Sequence, residues 1–455
     1  MRFVISTSLI FCLTVFATAG GKKNAILIVA DDLGMEVGCY GDPVAKTPHI
    51  DALAASGTRF KNGFASVSSC SPSRATMLTG MPTHMNGMYG LAHSGHNFHS
   101  YPKLKSLPSY LNAAGYKTGV LAKLHVQPKE VYPFTEQIGA GGGRNPVAVA
   151  EAARKFIESC GDKPFFLHVG FTDPHRAAKG FANEGKYPPN VPAVKYDPKT
   201  LPVPYHLPDS PDVRADLAEY YQSVSRMDHG VGLLMTVLQD TKVADDTLVI
   251  FISDNGIPFP GAKTTLYDSG VHLPLIVKKP GQKAGVVTEA MASWTDLMPT
   301  ILDWCGIEKP KLLPGQSMLG VLEEPSPKGW DVIYGSHQFH EVTMYYPMRM
   351  VRTKTHKLIL NLAHQLEAPH ASDLWGSPSW QGILKRGDLM MGQKTVKSFL
   401  NRPKEELYDL RSDRNELVNR VADAKSKMVL EGLRKKLQDW RITTSDPWLI
   451  KDKHE

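Results

Sequence analysis

Two pairs of neighbouring oxygen-bearing side chains, Asp31-Asp32 and Asp254-Asn255, are the first candidates for chemistry in this chain. Carboxylate and amide oxygens are hard donors that suit Ca2+ or Mg2+ and not zinc. Adjacent aspartates at one strand end repel each other unless a cation lies between them. Each pair taken alone is also compatible with an ordinary turn, Asp31-Asp32 capping one and Asp254-Asn255-Gly256 forming one. Cys70, in the run "SSCSPSRATMLTG" from 68 to 80, fits a hard cation poorly. A thiolate is a soft ligand, a cysteine nucleophile needs a base beside it, and a single cysteine is commonly an inert core residue. Against the inert reading stands the helical run that follows, which Pro72 would begin early, aiming backbone N–H groups at residue 70.

Such residues need a frame that brings distant segments together. "NAILIVADD" (24–32) and "TLVIFISDNG" (247–256) are apolar, β-branched runs ending in acid, the pattern of buried parallel strands that carry charge to their C-terminal edge. "KPFFLHVGFTDPH" (163–175) ends in Asp173 and His175, and "KTGVLAKLH" (117–125) ends in Lys123 and His125. Helical patterns at 48–60, 104–114, 146–159 and 212–240 separate these runs. The alternation predicts an α/β fold with a large, mostly parallel sheet sandwiched by helices. Ligands of such sheets bind outside the carboxyl ends of the strands, so the four polar strand ends should meet in one cleft. The Pro-, Gly- and Lys-rich stretch 176–211 reads as a long surface excursion near that cleft.

After the helical "WTDLMPTILDWCG" (294–306) the pattern changes to short strands at 331–337, 348–362 and 405–410 and an amphipathic helix at 424–440. We expect a signal peptide over 1–19, a catalytic domain over 22–324 and a smaller α+β C-terminal subdomain with an antiparallel sheet over 325–455. The signal rests on Arg2, the apolar run Val4 to Phe16 and the small-x-small site Ala17-Thr18-Ala19. That apolar run is short for a bilayer span, so a stable membrane anchor is not expected.

The 455 residues, 42% hydrophobic and 21% charged, are globular material. Five scattered cysteines (12, 39, 70, 160, 305) without a CxxC pair exclude a disulfide scaffold and a zinc module. The formal charge of +7 is spread along the chain without a Lys/Arg block, which argues against nucleic acid and for an anionic small molecule or polysaccharide. The chain has no Asn-x-Ser/Thr acceptor, so export to a periplasm or a secreted space is expected over glycan-dependent lysosomal delivery.

"CSPSRATMLTG", with "ADD", "KLH", "DPH" and "SDNG" in order over residues 25–265, resembles the type I sulfatases. The longer stretches "FASVSSCSPSRATMLTGMPTHMNGMYGL", "TLVIFISDNGIPFPGAKTTLY" and "GSHQFHEVTMYYPMRMV" resemble the members that remove the N-sulfate of glucosamine in heparan sulfate. The resemblance implies an alkaline-phosphatase-like fold and conversion of Cys70 to formylglycine (3-oxoalanine) by a formylglycine-generating enzyme. It implies one divalent cation, Ca2+ first, on Asp31, Asp32, Asp254, Asn255 and residue 70. One hydroxyl of the hydrated formylglycine then attacks sulfur with Asp254 as base, and His125 takes the second hydroxyl's proton to expel sulfate. Arg74, one helical turn on, neutralises charge there; Lys123 and Lys263 bind sulfate oxygens; His175 protonates the leaving group. Lys263 can alternatively be a solvated loop lysine.

His84, His337, His340, Glu341 and Arg349 are candidates for sugar recognition or, equally, polar residues at a domain seam. The resemblance also implies a sulfated glycosaminoglycan or sulfated sugar as substrate and a homodimer. The rival readings are an O-sulfatase on another glycan or aryl sulfate, a phosphonate or phosphodiester hydrolase, and a catalytically silent glycan-binding protein with an unmodified Cys70.

Overall fold

The computed structural model describes residues 23–184 and 190–450, so the expected signal peptide lies outside the described residues. Strands β1 (Asn24–Ala30), β2 (Thr58–Phe64), β3 (Lys117–Ala122), β4 (Glu136–Ile138), β5 (Phe165–Gly170), β6 (Thr247–Ser253), β7 (Leu275–Lys278) and β8 (Val286–Ser293) form one eight-stranded sheet in the order β4-β3-β5-β1-β6-β7-β2-β8. All pairings are parallel except those of β7, which runs antiparallel to β6 and β2. β1 lies between β5 and β6, with Val29 opposite Gly170 and Ala30 opposite Ser253. The chain segments that follow these three strands therefore leave the sheet side by side.

Every residue of β1, β5 and β6 is buried, as their continuous apolar sequences require of strands covered on both faces. One cover includes the helices Pro146–Cys160 and Pro211–Asp240, the other Cys70–Thr79 and Leu297–Trp304. Asn145 starts the first of these, its Oδ1 accepting from the amides of Val147 and Ala148 at 3.1 and 3.2 Å ahead of Pro146 at the first position. Cys70–Thr79 is buried along its whole length, Ser71, Ser73, Arg74, Thr76 and Thr79 included.

The expected 48–60 helix ends at Ser56, and 58–64 is strand β2 instead. A Cβ at Gly57 would lie 2.6 Å from the Val277 carbonyl, so the helix stops where the chain must touch β7. Stretches 176–184 and 190–210 contain no helix or strand, in line with the expected excursion.

Strands β9 (Val332–His337), β10 (Met348–Thr353), β11 (His356–Asn361) and, after a two-stranded ribbon β12 (Met390–Met391) and β13 (Lys394–Thr395), β14 (Glu405–Asp409) follow. β14-β11-β10-β9 is a separate antiparallel sheet. One face carries Ile333, Met348, Met350 and Ile359 against Phe64, Leu266, Val271 and Met291 of the large sheet's flank. The other carries Val351, Leu358 and Leu407 against Leu430, Leu433 and Leu437 of the helix Lys427–Thr443. Among the described residues no helix is long and apolar enough to cross a membrane.

Candidate active site

The polar ends of β1, β3, β5 and β6 meet, as their sequences predict, and the start of the Cys70 helix closes the group. Asp31, Asp32, Asp254 and Asn255 are all fully buried, and Cys70 is 1% exposed. Asp32 has the left-handed conformation (φ 66°), which turns its amide onto Asp254 Oδ1 at 3.0 Å. Cys70 is the first residue of its helix, with Ser69 as the cap, and its Sγ lies 3.9 Å from Asp32 Oδ1. Ser73 Oγ donates to the Asp254 carbonyl at 2.6 Å and ties that helix to β6.

Three cations answer the three carboxylates one to one. Arg74 Nε donates to Asp254 Oδ2 at 2.9 Å, Lys123 Nζ donates to Asp31 Oδ2, and Lys263 Nζ donates to Asp32 Oδ2 at 2.9 Å. Lys263 is 1% exposed, so it is no solvated loop residue. Burial opposes the ionised form of Asp31, yet Lys123, His175 and Arg74 outweigh it and hold that carboxyl well below its ordinary range. Asp254 moves the other way, raised by burial and by the charge of Asp31. Burial also pushes the Cys70 thiol well above its usual value, so as a thiol it is not a ready nucleophile.

Two buried oxygens, Asp31 Oδ1 and Asn255 Oδ1, have no hydrogen-bond partner. Orphaned hard oxygens of this kind are what a cation would satisfy. Ligand atoms of Asp31, Cys70 and Asp254 lie within 4.8 Å of one another, as do those of Asp32, Cys70 and His175. The donor set fits a divalent hard cation.

His175 follows Asp173, whose carboxylate is gripped by Arg226 at 2.6 and 2.8 Å and by Arg144 at 2.6 Å. Its Nδ1 donates to the Arg176 carbonyl at 2.5 Å, which fixes the ring and leaves Nε2 facing Asp32 Oδ2 (3.7 Å) and Asp373 Oδ2 (3.9 Å). His125, at φ 60°, pairs through Nε2 with His93 Nδ1, while its buried Nδ1 has no partner. Burial, then Lys123 and Arg74, keeps it well below the usual histidine range.

Sequence reasoning missed Asp373, which stands on the short helix Ser372–Trp375 and accepts from Lys263 Nζ at 2.8 Å. A lone acid in an unpatterned stretch gives no signal of its own. His93 is the other unforeseen neighbour, 32 residues from His125 and joined to it only by the fold.

The five recognition candidates divide. His340 Nδ1 shares a 2.8 Å hydrogen bond with Ser69 Oγ, the cap of the Cys70 helix, and Glu341 Oε1 accepts from the Ser372 amide at 2.8 Å, holding the segment that carries Asp373. Three belong to the seam. Both ring nitrogens of His84 are used, by Ser336 Oγ (2.9 Å) and Thr444 Oγ1 (2.8 Å), and burial with the charge of Arg349 pushes it down to about 3. Arg349 grips Asp446 at 2.9 and 2.8 Å and the His337 and Met348 carbonyls. His337 is 2% exposed and likewise pushed down to about 3 by burial and Arg402. For these three the packing favours the seam alternative over sugar recognition, since Arg349 is spent on Asp446 and His84 on Ser336 and Thr444.

The chain matches the Sulfatase family over residues 23–307 and the C-terminal unit described as "N-sulphoglucosamine sulphohydrolase, C-terminal" over 262–379. It is 43% identical to human N-sulphoglucosamine sulphohydrolase, covering 94% of this chain and 91% of that one. Solved structures with the same fold include one in complex with its substrate D-glucosamine-2-N,6-O-disulfate (TM-score 0.68, 20% identity, 94% and 99% of the two chains). Another is a 2-O GAG sulfatase (TM-score 0.71, 21% identity, 94% of each). At that identity the two structures speak for the fold alone, while the sequence match spans most of both chains. A buried Cys-x-Pro-Ser-Arg helix start set among paired acids and bases is thus the centre of a chain that belongs to the sulfatase family.

Proposed function

We propose that this chain hydrolyses the N-sulfate of glucosamine residues in heparan sulfate or heparin, with Cys70 converted to formylglycine and one Ca2+ resident in the site. The 43% identity to human N-sulphoglucosamine sulphohydrolase, spread over 91% of that protein, carries the substrate assignment. In this reading 22–324 is the catalytic unit and 325–455 the subdomain that completes the cleft, which the second sheet beginning at Val332 supports.

Asp31, Asp32, Asp254, Asn255 and residue 70 would hold the cation, which supplies Lewis-acid polarisation of bound oxygens when present. Conversion of Cys70 by a formylglycine-generating enzyme removes the mismatch between a soft thiol and that hard site. Asp254, its proton affinity raised by burial and Asp31, is the base at position 70. Arg74 neutralises charge beside it, and its Nη2, without a hydrogen-bond partner and 3.5 Å from Asp31 Oδ1, has donor capacity left. Lys123 and Lys263 suit the sulfo oxygens, with Lys263 on the side of the leaving group because Asp373, which it touches, lies 3.9 Å from His175 Nε2. In its imidazolium form His175 protonates the leaving nitrogen from Nε2, the nitrogen its Nδ1 hydrogen bond leaves free. His125, kept neutral by burial and by Lys123, accepts the proton whose loss releases sulfate.

Two measurements test the reading together. Mass analysis of the peptide spanning residue 70 should show the thiol converted to an aldehyde; a thiol in active protein refutes the nucleophile. Sulfate should be released from N-sulfoglucosamine in preference to glucosamine 6-sulfate; no release from the former refutes the substrate. Cys70→Ala should abolish turnover while the protein stays folded.

A further inference from the structure

Among the described residues, Asp373 is the carboxylate that the C-terminal part of the chain brings to the reacting groups. Its side chain is 20% exposed, so the cleft reaches it. Oδ2 accepts from Lys263 Nζ at 2.8 Å and lies 3.9 Å from His175 Nε2, and Oδ1 has no hydrogen-bond partner. The segment is braced, with the Ser372 amide on Glu341 Oε1 at 2.8 Å and the Trp375 amide on the Ala371 carbonyl at 2.8 Å. Burial opposes its charge, but Lys263, then His175 and His340, hold it well below the ordinary carboxylate range.

A carboxylate on the leaving-group side is unexpected in a site that must admit an anionic sulfo group. For an ester it is a liability, because oxygen leaves with developing negative charge and ends as a neutral alcohol. For a sulfamate the product differs. The N–S bond breaks with its electron pair going to nitrogen, a proton passes to that nitrogen from His175 Nε2, and sulfur bonds the nucleophilic oxygen at position 70. The resulting amine takes a second proton from solvent and becomes a cation. The acid must stand within about 3 Å of the nitrogen it protonates, and Asp373 Oδ2 is 3.9 Å from that same acid. A nitrogen on the cleft side of His175 Nε2 is then within hydrogen-bond reach of the carboxylate as well.

We propose that Asp373 is a specificity-determining residue that recognises the amino group set free from an N-sulfated amino sugar. The proposal rests on the N-sulfatase reading above. Calorimetric binding of glucosamine and of N-acetylglucosamine to the wild-type protein, Asp373→Asn and Asp373→Glu tests it. The wild type should prefer glucosamine by roughly tenfold or more, the scale of one charge-assisted hydrogen bond. Asp373→Asn should abolish the preference by weakening glucosamine alone, and Asp373→Glu should restore part of it. Equal weakening of both sugars, or a preference that survives in Asp373→Asn, overturns the proposal. So does a wild type with no preference, a result that needs no folded variant. Sulfate release from N-sulfoglucosamine by the wild type separates the two levels. No release refutes the N-sulfatase reading, whereas release without a glucosamine preference refutes the role of Asp373 alone.

Discussion

Gly170, the last residue of β5, shows how closely the backbone is fitted around the site. A Cβ there would lie 2.0 Å from the Lys123 carbonyl oxygen and 3.1 Å from Arg74 Nη1. Those two atoms are hydrogen-bonded to each other at 2.9 Å, and the Lys123 amide donates to the Gly170 carbonyl at 3.0 Å. A carbon and a carbonyl oxygen in ordinary contact stand about 3.3 Å apart, so Gly170→Ala drives the Lys123 backbone back by roughly 1 Å. Displacement of that size at a catalytic group costs about 100-fold in rate, or about 2.7 kcal/mol of transition-state stabilisation at 1.36 kcal/mol per tenfold. Overpacking costs about 1–3 kcal/mol of stability, less than the roughly 5–15 kcal/mol a native fold commands, so the variant should remain folded. The assay is kcat/KM for sulfate release beside a thermal melt. Gly432→Ala is the control: its added methyl meets nothing within 4 Å and it sits inside the helix Lys427–Thr443, so activity should be unchanged. If Gly170→Ala keeps kcat/KM within about threefold of wild type, the close fit at Lys123 is not what positions the reacting groups.

Two further outcomes follow from the buried carboxylates. If Asp31, Asp32, Asp254 and Asn255 hold Ca2+, the melting temperature should fall in chelator and recover with calcium, the gain approaching about 2.7 kcal/mol at a hundred times the dissociation constant; no shift refutes the donor set. Asp228, 2% exposed, accepts from the amides of His49 (3.3 Å) and Ile50 (2.8 Å), and burial raises its carboxyl from 3.8 to about 7. A carboxyl raised in the folded state stabilises below its unfolded value and loses that contribution as pH climbs to the folded one. Three units correspond to about 4 kcal/mol, so Asp228→Asn should gain on wild type by up to that amount between pH 4 and pH 8 in urea titrations; parallel pH profiles refute it.

The parts of the site that lay open in the sequence are those in which a strand's apolar run and its terminal acid or base are contiguous. Asp31-Asp32, Lys123, His175 and Asp254 are each read from one local pattern, and parallel pairing brings them together without further information. β2 was hidden because "TRFKNGF" interleaves Arg59, Lys61 and Asn62 with its buried positions, so its pattern of buried, half-buried and exposed sites is no continuous apolar run. The seam residues misled for the opposite reason. A cluster of His and Arg reads alike whether it faces a sugar or a buried acid, and the acid that decides the matter for Arg349 is Asp446, 97 residues away. Asp373 is 110 residues from Lys263, and only the docking of the C-terminal part of the chain joins them.

The charges explain why the site can be both buried and anion-binding. Three acids alone at the ends of β1 and β6 would repel a sulfo group, and three bases alone could not be buried without an opposing charge. Interleaved as Asp31 with Lys123, Asp32 with Lys263 and Asp254 with Arg74, they are close to neutral and need no solvent. With Asp373 counted on Lys263, a divalent cation would leave the set one charge positive, and the single negative charge of a sulfo group would restore neutrality. Lys123, Lys263 and Arg74 are the cations whose carboxylate partners such an ion would share, so with it bound their hold on the protein would weaken and their pull on sulfate would strengthen. Asp373 would keep its hold on Lys263 through that exchange, because it is not among the groups that face the ion and stands on the far side of Lys263, 3.9 Å from His175 Nε2.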